Sequence, residues 1–204
     1  MKNLLCNFDI SIYTHFIFDV DGTLIESDFS EREIFQSTII DFFGVAPNVD
    51  FGLYRDLTYA GIVSEIAVEH GFSQAETEAC YSELGRRLSV NANRVQWRPA
   101  AYAEKLVKAA SNAGDVFYLS GNFFDVTARK LEAIGVIFSP VQIISVDLKK
   151  PSKSLHVSEL VDKVGVDVVG WVFLGDSEYD KLSARSAGVS FMWSQNLALS
   201  CWAL

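Results

Sequence analysis

Five short apolar runs rich in Val, Ile and Phe recur at 14–20, 116–120, 141–146, 170–175 and 189–193. Between the later runs lie stretches with helical character. They cover 100–113, 123–134, 152–164 and 178–187, and each is closed by a glycine: Gly114, Gly135, Gly165 and Gly188. This alternation limits the fold severely. Strand and helix in turn predict an α/β protein, a parallel sheet with helices on both faces. Ligands of such sheets bind beyond the carboxyl ends of the strands.

Residues 24–98 break the alternation and read as all-helical. "SEREIFQSTIIDFFG" carries a capping box from Ser30 to Glu33, and "SQAETEACYSELGRRL" carries another from Ser73 to Glu76. Between them "LTYAGIVSEIAVEHG" has apolar residues at helical spacing and stops at Gly71. A helical module of roughly 70 residues is therefore expected straight after the first strand, its length read from the caps. It holds twelve Asp/Glu, six Arg and no Lys. The expected organisation is a core of 1–23 and 99–204 with a cap of 24–98.

The first strand raises a chemical question. In "HFIFDVDGTLIES" an apolar run climbs into two carboxylates, Asp19 and Asp21, before a Gly-Thr turn. Like charges at that spacing repel, and neither is cheap to desolvate. Asp-Gly is also ordinary turn chemistry, so the other strand ends decide. "FYLSGN" offers the Ser120 hydroxyl and the backbone N–H groups of Gly121 and Asn122 at a helix start, an anion site or a plain N-cap. "VDLKKPSKSL" sets Lys150 before Pro151, which alone reads as a solvated basic loop. "FLGDSEYD" places Asp176 and Asp180 beyond a fourth apolar run.

Together these form a site. Three or four carboxylates at one sheet edge require a cation, and hard oxygen ligands select Mg²⁺. One aspartate then stays ionised to attack phosphorus, while Lys150, Ser120 and the helix amides hold phosphoryl oxygens. The second aspartate reaches the leaving-group oxygen as a general acid.

The set "DVDGT", "LSGN", "KKP" and "GDSEYD", in this order, resembles the haloacid dehalogenase-like superfamily of phosphotransferases. The position of the cap is similar to that of the phosphoglycolate-phosphatase-like branch. The resemblance covers about residues 14–194. It implies a Rossmann-like core of strand order 5-4-1-2-3 under a mobile helical cap. It further implies Asp19 as nucleophile forming an aspartyl-phosphate, and Asp21 as acid then base. Thr23 and Ser120 would bind phosphate, Lys150 would balance its charge, and Asp176 would hold Mg²⁺. Asp180 would support that ligand directly or through water, and Asp21 would add its main-chain carbonyl.

Departures within the superfamily narrow the reaction. Haloacid dehalogenases lack the second aspartate, so Asp21 argues against carbon–halogen cleavage. Phosphonatases use a cap lysine, and this cap has none. P-type ATPases carry a threonine there. A phosphatase passes the phosphoryl group to water, whereas a β-phosphoglucomutase-like enzyme passes it to a sugar hydroxyl. "DGT", where mutases tend to read "DGV", favours hydrolysis. A catalytically inactive binding module of this fold is disfavoured because both aspartates are present. Substrate choice belongs to the cap. There Arg55 reads as a surface ion pair with Asp56 or a neighbour, and His70 as a helix C-terminal residue.

Composition sets the remaining bounds. A chain of 204 residues with 50% hydrophobic content can bury a full core. A net charge of −9 argues against a nucleic-acid partner. Cys6, Cys80 and Cys201 are far apart and odd in number, as for ordinary thiols in a reducing compartment. The start "MKNLLCNFDISIY" is too weak for a secretory signal, and no segment reaches the ~18 apolar residues of a membrane span. The expected protein is cytoplasmic, a monomer or weak homodimer whose partner is a small phosphorylated metabolite.

Overall fold

The computed structural model describes residues 9–26 and 29–198. The expectations for Cys6, Cys201 and the first eight residues lie outside them. Five strands form one parallel sheet: β1 (His15–Asp19), β2 (Asp115–Ser120), β3 (Ile143–Ser145), β4 (Trp171–Gly175) and β5 (Ser190–Trp193). Their order is β3-β2-β1-β4-β5, the expected order read from the opposite edge. The central strand β1 pairs with β2 from His15↔Asp115 to Asp19↔Leu119, and with β4 from His15↔Trp171 to Phe18↔Leu174.

The apolar runs are continuous because a parallel sheet is buried on both faces. Phe16, Phe18, Val172 and Leu174 enter one core cluster, while Ile17, Leu119, Trp171 and Phe173 enter the other. That is the period of two along each strand. Helices α4 (Ala103–Ala113), α5 (Phe124–Ala133), α6 (Lys153–Val164) and α7 (Glu178–Ser186) follow in alternation, and α8 (Ser194–Ala198) ends the described chain. Gly135, Gly165 and Gly188 take positive φ just past α5, α6 and α7, where a side chain would be strained.

Three helices lie between β1 and α4: α1 (Phe29–Phe43), α2 (Tyr59–His70) and α3 (Gln74–Ala92). The capping box at Ser73 and Glu76 forms in both directions. The one expected at Ser30 and Glu33 does not. Helix α1 begins at Phe29, so Ser30 sits inside it, where its hydroxyl accepts from Asn91 Nδ2 of α3. Packing of α1 on α3 overrides the local cap signal. The module's two ends run side by side, with Glu26 N donating to Arg98 O and Ala100 N to Leu24 O, both at 2.9 Å.

The module is seated on the core. The Thr58 hydroxyl accepts from Gly61 N to cap α2 and donates to Pro151 O at 2.6 Å. The Tyr81 hydroxyl donates to Val146 O, and the Tyr59 amide to Gly121 O. No helix among the described residues is long and apolar enough to cross a membrane.

Candidate active site

Strand β1 delivers Asp19 to the sheet edge, 3% exposed. The chain then turns at once: Gly22 N donates to Ile25 O, and the amides of Leu24 and Ile25 both reach Val20 O. Strand β4 delivers Asp176, and helix α7 brings Asp180 back beside it. Ser177 caps α7, with Asp180 as its reciprocal partner through Oδ2. Asp19, Asp176 and Asp180 each present a carboxylate oxygen, all within 4.8 Å of one another.

One cation enters this cluster. Lys153 Nζ donates to Asp19 Oδ1 at 2.6 Å and to Asp180 Oδ1 at 2.7 Å. Burial works to lower the Lys153 ammonium, but Asp180 and Asp19 outweigh it and hold its pKa above the ordinary value. Burial pushes the Asp19 carboxyl well up; Lys153 opposes this, and Asp180 and Asp176 add to it. Asp176 is pushed to about 6, by burial first and then by Asp180. A single ammonium therefore leaves the acidic edge under-neutralised. Asp19 Oδ2 is buried without a hydrogen-bond partner among the described residues. An all-oxygen set with an unused acceptor fits a hard divalent cation such as Mg²⁺.

Lys150, the lysine expected here, lies elsewhere. Its Nζ pairs with Glu159 on the surface. Asp147 Oδ1 accepts from both Lys149 N and Lys150 N, a turn that leaves Lys150 outside the cluster. Ser152 then caps α6, so Lys153 is the first helical residue and reaches Asp19 from there. The signal was present in "KKPSKS": a serine N-cap fixes which lysine starts the helix.

The remaining expected residues divide. Asn122 and Gly121 line the cavity with Asp19, Asp21, Asp176 and Asp180. The Ser120 hydroxyl is buried, accepts from Asn122 N at 3.1 Å and stands 3.5 Å from Asp21 Oδ2. Thr23 is fully buried, with its hydroxyl unpartnered among the described residues. Asp21 lies beside the acidic trio rather than in it, its carboxylate turned to Lys130 of α5. Arg55 pairs with Asp56 on the surface, and His70 ends α2, both as expected.

The cavity has a volume of about 250 Å³. From the helical module it takes Glu31, Arg32, Phe51, Leu57, Tyr59 and Ile62. Arg32 is the one cation among these, its guanidinium 5.1 Å from the Phe51 ring centre. Lys130, Glu31 and Arg32 carry no local sequence pattern that marks them for the site, and of Lys153 only the serine cap before it gives a sign.

A parallel α/β core carrying an acidic, lysine-containing pocket beneath a helical module defines a class of hydrolytic enzyme. The chain belongs to the haloacid dehalogenase-like hydrolases, whose family model matches residues 16–194. Solved structures share the fold. A hydrolase from Pseudomonas syringae is 20% identical with a TM-score of 0.64, covering 87% of this chain and 83% of its own. CbbY from Rhodobacter sphaeroides, in complex with phosphate, is 17% identical with a TM-score of 0.67, covering 89% and 85%. A predicted phosphoglycolate phosphatase from Haemophilus somnus is 16% identical with a TM-score of 0.60, covering 88% and 84%. No curated protein matches the sequence.

Proposed function

We propose that this hydrolase is a Mg²⁺-dependent phosphatase of small phosphate monoesters that works through an aspartyl-phosphate on Asp19. The observation that carries this reading is the Asp19 carboxylate. One oxygen is held by Lys153 and the other is buried and unpartnered among the described residues, and Asp19 lines the same cavity as Asp21. Asp19, Asp176 and Asp180 would hold the metal, with Asp180 acting directly or through water. Bound Mg²⁺ supplies charge neutralisation for the crowded carboxylates and phosphoryl oxygens.

The chain's own groups carry the steps. An Asp19 oxygen attacks phosphorus, the ester P–O bond breaks, and Asp21 gives its proton to the departing oxygen. A water then attacks the aspartyl-phosphate and yields a proton to Asp21. The P–O bond to Asp19 breaks, releasing phosphate and restoring both carboxyl groups. Lys153 steadies the nucleophile and phosphoryl oxygens, aided by the Gly121 amide.

The cavity volume suits a small ester, and Arg32 suits a substrate with a second polar or anionic group. That is consistent with a phosphoglycolate- or sugar-phosphate-like substrate. The proposed setting is a cytoplasmic monomer or weak homodimer.

A screen of small phosphate esters with Mg²⁺ tests the proposal, followed by product analysis and rapid quench on Asp21→Asn. The expected result is free phosphate from wild type. The mutant should slow alkyl esters ~10²–10⁴-fold, while p-nitrophenyl phosphate still gives a burst. Phosphate returned to a second sugar hydroxyl would make the enzyme a mutase. No turnover of any ester would overturn the reading.

A further inference from the structure

Lys130 is fully buried, yet it belongs neither to the apolar core nor to the Asp19 cluster. It projects from α5, and its Nζ ion-pairs with Asp21 and lies 2.9 Å from the Glu31 carboxylate. Trp97 lies beneath it, with the ammonium 4.7 Å from the ring centre. Glu31 also accepts from Asn122 Nδ2 at 3.0 Å.

These partners come from different parts of the molecule. Asp21 follows β1, Lys130 belongs to the core, Glu31 to the first turn of cap helix α1, and Trp97 to the returning connection. A buried ammonium is costly unless its charge is matched. Among the described residues it is matched by joining one carboxylate on the core to another on the cap. Lifting α1 would strip Lys130 of Glu31 and leave Glu31 without its cation. The pair is thus satisfied only when the cap is seated.

We propose that Lys130 is the positioning residue for Asp21, and that Glu31 makes this positioning depend on the cap being closed. The ammonium fixes the Asp21 carboxylate through Oδ1, and Oδ2, which has only the long 3.5 Å contact from the Ser120 hydroxyl, is the oxygen that exchanges a proton with substrate. Full acid–base competence would then be reached only with the site covered, when water is excluded. The proposal rests on the phosphatase reading for its kinetic arm and is independent of it for its structural arm.

Lys130→Met and Glu31→Gln test it, each first checked by circular dichroism and thermal melting. Displacing a catalytic group by about 1 Å can cost ~10²-fold. Lys130→Met should therefore lower kcat for alkyl phosphates about that much, with little change in KM. The nitrophenol burst, which needs little proton assistance, should be nearly preserved. Glu31→Gln should show the same selectivity at smaller size, although Glu31 does not contact Asp21, and Lys130→Arg should recover part of the loss. In an Asp21→Asn background neither substitution should add a further loss. Equal slowing of both leaving groups, or the same factor repeated in that background, would make Lys130 structural only.

Small-angle scattering reads the cap without catalysis. Both variants should enlarge the radius of gyration relative to wild type, and unchanged scattering would overturn the cap-dependent half. If Lys130→Met does not fold, Glu31→Gln and Lys130→Arg decide the same questions. Should wild type cleave no ester, the phosphatase reading fails while the scattering arm still judges the tether.

Discussion

Gly22 packs so closely on Asp176 that no side chain fits between them. A Cβ built on Gly22 would fall 2.1 Å from Asp176 Oδ2, and Gly22 holds φ at +83°. The turn after β1 can pass beneath the β4 carboxylate only because no side chain is there. Gly22→Ala should therefore displace Asp176 and strain the turn together. We expect at least a tenfold loss of kcat and ~1–2 kcal/mol of stability, the usual range for strain at a positive φ. Urea unfolding and steady-state kinetics on one sample check both, and a variant equal to wild type would show the loop to be pliant.

The two lysines flanking Pro151 and Ser152 should behave oppositely. Lys153→Ala removes the only cation bonded to Asp19 among the described residues and takes the same ammonium from Asp180 Oδ1. A loss of ~10²-fold or more in kcat is expected, the scale for removing one charge-stabilising donor. Lys150→Ala breaks an exposed pair with Glu159 and should change activity less than twofold. Parallel kinetics on the two proteins check this, and the reverse ranking would return Lys150 to the site.

Metal binding should change the pH dependence of stability. Asp176 is raised to about 6 from an ordinary value of 3.8, and burial raises Asp19 as well. A carboxyl with a raised folded-state pKa stabilises the fold fully below its unfolded value and loses that contribution as pH rises through the folded one. Without metal, the melting temperature should therefore fall as pH climbs from about 4 through about 6. Saturating Mg²⁺ should flatten that fall and raise the melting point at pH 7. EDTA should abolish turnover, Mg²⁺ should restore it, and Ca²⁺, with its larger and looser shell, should inhibit. Melting curves at several pH values, unchanged by Mg²⁺, would count against a metal at this edge.

Cys80 offers a check on the seating of the cap helices. It is fully buried on α3, and burial pushes its thiol up to about 11. At pH 8 it should resist alkylation in the native protein and react on unfolding. Peptide mapping after iodoacetamide treatment reads this residue separately from Cys6 and Cys201.

The parts of the molecule that repeat a simple period were legible in the sequence. Phe16-Ile17-Phe18 reads as a strand buried on both faces because every residue is apolar, and each side chain finds a core. The glycines after α5, α6 and α7 mark real helix ends because positive φ selects them. Long-range geometry was not legible. Ser30 carries a correct capping pattern, but the packing of α1 against α3 places it inside the helix. Lys150 stands before the proline, yet the turn at Asp147 and the cap at Ser152 hand the position to Lys153. Lys130 reads as an ordinary helix lysine in "ARKLEA". Its two carboxylate partners lie 109 and 99 residues earlier, where no local pattern connects them.

The side-by-side ends of the helical module also bear on how the chain assembles. Asp19 and Leu119 are register partners, so β1 leaves the ribosome a hundred residues before its first neighbour in the sheet. Closing a loop of that length carries an entropic cost that grows as (3/2)RT ln n. If α1–α3 pack first, residues 24–26 and 98–100 are already joined, and the effective loop shrinks to about a quarter of its length. That lowers the cost by ~1 kcal/mol. In that order of folding, the element that covers the pocket in the finished protein would serve during synthesis as a splint, holding an unpaired apolar strand near the place where its partner will emerge.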